Sequence, residues 1–192
     1  AQYPLGGAQV LDGGTGGGLA AEALARRGAQ VTAIDASPEM LSTAKLHAAS
    51  EGLEIGYEQA SAEEWAAGHA GLYDVVTCFE MIEHVPHPEQ TLAALASLVR
   101  PGGSLVISTI NRTPKAYLGA VLAAEYILGW VPKGTHDYVR FLKPSEIAAS
   151  LRPAGLRIEA LEGVVLHPLY QQFSRSTADL NINYQLAARR PE

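Results

Sequence analysis

The stretch Val10-Leu11-Asp12-Gly13-Gly14-Thr15-Gly16-Gly17-Gly18 decides how this chain is read. An apolar run ends in an acid, and five glycines in the next six positions lead into Leu19-Ala20-Ala21-Glu22-Ala23-Leu24-Ala25. That order is strand, glycine loop, helix, the opening unit of a nucleotide-binding α/β arrangement. Glycine is needed where a ligand approaches the backbone closely or where φ is positive. Seventeen residues after Gly18, a second apolar run, Val31-Thr32-Ala33-Ile34, ends in Asp35. An acid at that strand end can accept hydrogen bonds from both hydroxyls of a ribose.

Outward from this unit, strand and helix patterns alternate. Gln9 to Asp12 reads as the first strand, Leu19 to Arg27 as its helix and Gln30 to Asp35 as the second strand. Ser37 is placed to cap a helix running to about Ser50, with Pro38 in its first turn. Glu54 to Gln59 alternates weakly as a third strand, and Ala62 to Ala67 is a short helix. Tyr73 to Phe79 is a buried-strand run, followed by a helix from Pro88 to Val99. Pro101-Gly102-Gly103 turns the chain into a strand over Ser104 to Thr109. A helix beginning near Ser145 precedes two late strands, Leu156 to Leu166 and Asn181 to Ala188. Strands separated by helices imply a mainly parallel sheet covered on both faces. Two late strands with no helix between them imply an antiparallel edge.

Composition narrows the classes. A chain of 192 residues, 47% hydrophobic and 18% charged, suits a single α/β domain over 1–192. The net charge of −6 opposes non-specific nucleic-acid binding, so no nucleic-acid partner is expected. Cys78 is the one cysteine, which excludes a disulfide framework and suits a reducing compartment. No signal peptide opens the sequence, and no apolar run reaches the roughly 20 residues that span a bilayer. The first strand begins within ten residues of Ala1, an abrupt start that suggests a lost N-terminal segment.

Two cofactors compete for the glycine loop, a nicotinamide dinucleotide and S-adenosylmethionine. The dinucleotide pattern G-x-G-x-x-G/A fails from Gly14, whose third position is Leu19. From Gly16 it passes only in its relaxed form, at Ala21, and starts four residues beyond Asp12. Little chain is left for a substrate domain. Asp12-x-Gly14-x-Gly16, Asp35, the Pro101-Gly102-Gly103 turn and the antiparallel ending together resemble the class I S-adenosylmethionine-dependent methyltransferases. The resemblance implies a Rossmann-like, mostly parallel seven-stranded sheet with an antiparallel C-terminal edge and helices on both faces. It places Asp12, Gly14 and Gly16 under the cofactor, Asp35 on its ribose, Ser61 and Ala62 at the adenine rim, and Phe79 along its side.

Further blocks narrow the family. They are Ala44-Lys45-Leu46-His47-Ala48, Tyr73 through Val85 with Glu80-Met81-Ile82-Glu83-His84, Ser108 through Arg112, Ala124 through Leu128, Val131-Pro132-Lys133-Gly134-Thr135-His136-Asp137, and Asn183-Tyr184. Together these resemble the ubiquinone-biosynthesis O-methyltransferases, which methylate polyprenyl catechols. The resemblance implies methyl transfer to a phenolic hydroxyl of 2-polyprenyl-6-hydroxyphenol and 3-demethylubiquinol. Other expected partners are further ubiquinone-biosynthesis proteins, with the enzyme in the cytoplasm at the inner membrane, or on the matrix face in a mitochondrion. Alternatives are a methyltransferase for another small apolar acceptor, or a catalytically silent S-adenosylmethionine-binding accessory protein. This family has valine and cysteine where the loop has Gly13 and Thr15, methionine where Phe79 stands, and a region with a cofactor-contacting arginine before the first strand. Gly13 is expected to loosen the loop.

Methyl transfer from a sulfonium needs alignment, exclusion of water and removal of the phenolic proton. Glu80 and His136 are the candidate bases, since an unperturbed imidazole titrates near neutrality. Neighbouring hydroxyls on the acceptor invite a divalent ion, and the resemblance implies magnesium at Glu80, Glu83 and His84. If that segment turns helically, spacings of three and four place the three side chains together. From Lys115 to Val131 only Lys115 and Glu125 are charged. This run lies in an insertion at about 113–137 and is expected to form a lid and a peripheral membrane contact.

Overall fold

A computed structural model describes residues 5–118, 137–167 and 172–192. Its elements are β1 (Gln9–Gly13), α1 (Leu19–Ala25), β2 (Gln30–Asp35), α2 (Pro38–Ser50), β3 (Gly56–Gln59), α3 (Ala62–His69), β4 (Tyr73–Phe79) and α4 (Pro88–Leu98). They continue as β5 (Val99–Ile110), α5 (Pro114–Ala116), α6 (Pro144–Leu151), β6 (Arg157–His167), β7 (Gln172–Ser176) and β8 (Asn183–Arg189). One sheet contains all the described strands, in the order β3-β2-β1-β4-β5-β8-β6-β7. β1 to β5 pair in parallel, and β8 runs antiparallel between β5 and β6.

The sheet has eight strands where seven were expected, because β7 adds an antiparallel edge to β6. The expected Pro101-Gly102-Gly103 turn lies inside β5. There the register with β4 jumps from Tyr73–Val99 to Val75–Ser104, so the turn is a bulge within a continuing strand. Space explains the glycine at 103: a Cβ there would lie 2.9 Å from the Asp74 carbonyl oxygen.

Alternation along the strands sends neighbours to opposite faces. Val10 and Ala33 pack with Ala21, Leu41, Ala44 and Tyr57 beneath α1 and α2. Leu11 and Ile34 join Leu92, Leu95, Ile147 and Tyr184 beneath α4 and α6. The two helices on the first face are also linked through a polar contact. Buried Glu22 on α1 meets the His47 imidazole at 2.5 Å and the Arg26 guanidinium at 3.2 Å. The Glu22 hydrogen bond pushes the His47 pKa up, so the cationic form and this link persist to higher pH than for a free imidazole. Helix starts follow the sequence. Ser37 Oγ accepts the Met40 N–H at 3.2 Å, and Ser61 and Glu64 form a reciprocal capping box on α3.

Candidate active site

The C-terminal ends of β1, β2 and β4 lie side by side, and the glycine loop crosses above them. Gly14 and Thr15 both donate their N–H to the Ile34 carbonyl, at 2.9 and 3.0 Å. Gly16 N–H donates to Asp35 Oδ2 at 2.8 Å, and Ser37 N–H to Asp35 Oδ1 at 2.9 Å. Asp35 therefore fixes the loop with one lone pair on each oxygen and keeps the others for a ligand. Gly14 has φ +70°, and a Cβ there would fall 2.3 Å from Met81 Cγ. The loop thus packs directly against the segment that follows β4.

Beneath the loop, Asp12 is buried and accepts from Thr77 Oγ1 at 2.6 Å and Thr15 Oγ1 at 2.7 Å. Burial pushes its carboxyl pKa up, while hydrogen bonds from Thr77, Thr15 and the Ala21 backbone work against that rise. Thr15 is therefore an integral part of the loop: its hydroxyl satisfies a buried carboxylate. Gly13 leaves a narrow gap, since a Cβ would lie 3.0 Å from Leu95 Cδ2. Ser61 and Ala62 open α3 just beyond Gln59, which pairs with Asp35. The Ser61 N–H and Oγ are both engaged in the helix cap, so its side chain organises the local turn. Phe79 ends β4, half-buried and opposite Ser108.

Glu80 comes next with φ +50°, the one non-glycine residue with positive φ among the described residues. That conformation costs roughly 1–2 kcal/mol, and such strain concentrates at functional sites. Its carboxylate accepts from Ser108 Oγ at 2.7 Å and from Asn183 Nδ2 at 3.2 Å.

The expected helical grouping of Glu80, Glu83 and His84 does not form. The segment is a turn closed by the His84 N–H on the Met81 carbonyl at 2.9 Å. Glu83 points inward and accepts from Thr109 Oγ1 at 2.8 Å, whereas Glu80 and His84 are exposed. Among the described residues no cluster of three or more His, Cys, Asp or Glu side chains can hold a metal ion. The two carboxylates take different hydrogen-bond donors, Ser108 and Asn183 for Glu80 and Thr109 for Glu83.

His136 and most of the insertion lie outside the described residues. Cys78 is fully buried and its thiol pKa is pushed far up by that burial, so it is no nucleophile. Sequence reasoning assigned no role to Ser108 and Asn183. Their only signal was membership of the family-like blocks. A cavity of about 580 Å3 adjoins the turn, between Ile82, Val85, Leu92, Arg112, Phe141 and Leu142. A larger hollow of about 860 Å3 lies by the starts of β1 and β2, at the end of the sheet away from these residues.

Residues 1–161 match the model of a methyltransferase domain. The ubiquinone biosynthesis O-methyltransferase of Aromatoleum aromaticum is 53% identical over 96% of this chain and 79% of its own length. The chain belongs to the ubiquinone biosynthesis O-methyltransferases. A second relative of that name, from Saccharophagus degradans, is 50% identical over 95% of this chain and 77% of its own length. In architecture the chain also matches an S-adenosylmethionine-dependent methyltransferase from Mesorhizobium loti, with a TM-score of 0.68 at 18% identity over 98% of this chain and 94% of that one. As a member of this family the protein is an S-adenosylmethionine-dependent O-methyltransferase.

Proposed function

We propose that this chain transfers the methyl group of S-adenosylmethionine to a phenolic oxygen of a polyprenylated ubiquinone precursor, 2-polyprenyl-6-hydroxyphenol or 3-demethylubiquinol. The observation that carries the reading is 53% identity to a ubiquinone biosynthesis O-methyltransferase across nearly the whole chain, joined to a closed loop–Asp35 geometry. Asp12, Gly14 and Gly16 support the methionine end of the cofactor. Asp35 receives the ribose hydroxyls, Ser61 and Ala62 border the adenine, and Phe79 covers one side. A phenolic oxygen attacks the methyl carbon as the carbon–sulfur bond breaks, releasing S-adenosylhomocysteine. The phenolic proton passes to Glu80 or His136 and then to solvent.

Magnesium at Glu80, Glu83 and His84 belongs to this reading only through the catechol. A bound ion would lower a phenol pKa and fix the ring. Calorimetry with S-adenosylmethionine followed by methylation of a short-tailed catechol tests the whole proposal. Cofactor binding with turnover is expected, and binding without turnover on any catechol would leave a silent accessory protein instead. In the same assay, loss of activity in excess chelator and recovery with magnesium is the expected metal result. Full activity in chelator removes the metal.

The apolar run from Lys115 to Val131 supports peripheral contact with the inner membrane from the cytoplasmic or matrix side, where other ubiquinone-biosynthesis proteins would be met. Tyr117 and Leu118, at its described start, are 40% and 58% exposed. Among the described residues no helix is long and apolar enough to cross a membrane. Liposome flotation should carry the wild type upward and leave a deletion of this run behind; equal partition of the two rejects the contact.

A further inference from the structure

From Gly13 to Gly18 every residue but Thr15 is glycine, so Thr15 supplies the loop's one side chain. Glycine loses more conformational freedom on ordering than any other residue, and such a loop holds its shape only where it is tied down. Thr15 ties it in three directions. Its N–H donates to the Ile34 carbonyl on β2 at 3.0 Å, and its own carbonyl accepts the Gly18 N–H at 2.9 Å, just ahead of α1. Its hydroxyl turns into the protein and donates to Asp12 Oδ2 at 2.7 Å. The acceptor is itself held. Thr77, paired with Asp12 across β1 and β4, donates to Oδ1 at 2.6 Å, and the Ala21 backbone of α1 adds a further hydrogen bond.

Asp12 is 2% exposed and Thr15 8%, so this contact lies beneath the loop. Directly after it comes Gly16, at φ +53°, whose N–H must reach Asp35 Oδ2 at 2.8 Å. A shift at Thr15 is therefore passed to the carboxylate that faces the ribose. We infer that Thr15 is a positioning residue, whose hydroxyl, seated on Asp12, fixes the glycine loop in the shape that receives S-adenosylmethionine. This rests on the cofactor position proposed above. The gain is preorganisation: a loop ordered beforehand spares binding the entropy of ordering it.

Three variants separate a hydrogen-bond donor from a space-filler. Thr15→Val keeps the shape and loses the donor, Thr15→Ser keeps the donor and loses a methyl, and Thr15→Cys offers a weaker S–H donor. Calorimetry should place S-adenosylmethionine affinity near wild type in Thr15→Ser, lower in Thr15→Cys, and about 10-fold or more below wild type in Thr15→Val. KM for the cofactor should follow that order while kcat at saturation stays close to wild type, because bound cofactor restores the competent loop. Without cofactor, the Gly16 amide should exchange faster in Thr15→Val than in wild type. Tighter binding in Thr15→Val than in Thr15→Ser would show a packing role only and overturn the inference, as would an unchanged Gly16 amide. Should Thr15→Val not fold, the serine and cysteine variants carry the same comparison, and binding in Thr15→Cys as tight as in Thr15→Ser overturns it. Wild-type affinity in Thr15→Val beside weakened binding in Asp35→Ala sinks the inference alone. Wild-type affinity in both removes the cofactor position on which it rests.

Discussion

Gly14→Ala is expected to lose about 2–4 kcal/mol of stability and to bind S-adenosylmethionine at least about 10-fold more weakly. Two effects add. An alanine at φ +70° is strained, and its Cβ would fall 2.3 Å from Met81 Cγ and 2.8 Å from Met81 Cβ. The second atom is anchored to the backbone, so rotation of the Met81 side chain cannot clear it. Either the loop lifts from β1 or the turn after β4 retreats, and each displaces one wall of the proposed cofactor site. In a chain of this size the melting temperature should fall by about 5–15 °C. Gly17→Ala is the control, since nothing lies within 4 Å of a Cβ there. A Gly14→Ala protein with wild-type melting temperature and cofactor affinity would show that the loop does not pack as described.

Asp35→Ala should weaken cofactor binding by about 100-fold or more, because hydrogen bonds to a charged acceptor contribute about 1.5–3 kcal/mol each. The same carboxylate holds the Gly16 and Ser37 N–H groups, so its removal also frees the loop. Asp35→Asn retains one oxygen and should fall between. The ribose is remote from the transferred methyl, so KM for the cofactor should rise while kcat at saturation changes little. Calorimetry and steady-state kinetics check both halves. An unchanged KM would remove Asp35 from the ribose.

The loop and its supports were legible because local chemistry dictates them. Glycines at a strand end, a serine three residues before the amide it caps, and a proline in a first turn carry their geometry in their spacing. The turn after β4 was not legible in that way. Spacing alone put Glu80, Glu83 and His84 on one helical face, but Thr109, 26 positions away in sequence, draws Glu83 inward. β7 escaped notice because Gln172-Phe173-Ser174-Arg175-Ser176 shows no apolar alternation, and only its pairing with β6 makes it a strand. Thr15 read as a departure from the family, yet its hydroxyl meets a need that only the buried Asp12 reveals.

The placement of β8 has a consequence for biogenesis. A ribosome delivers β5 and β6 before β8, yet β8 must lie between them. Until it emerges, both neighbours expose unsatisfied edges that invite mispairing with other chains.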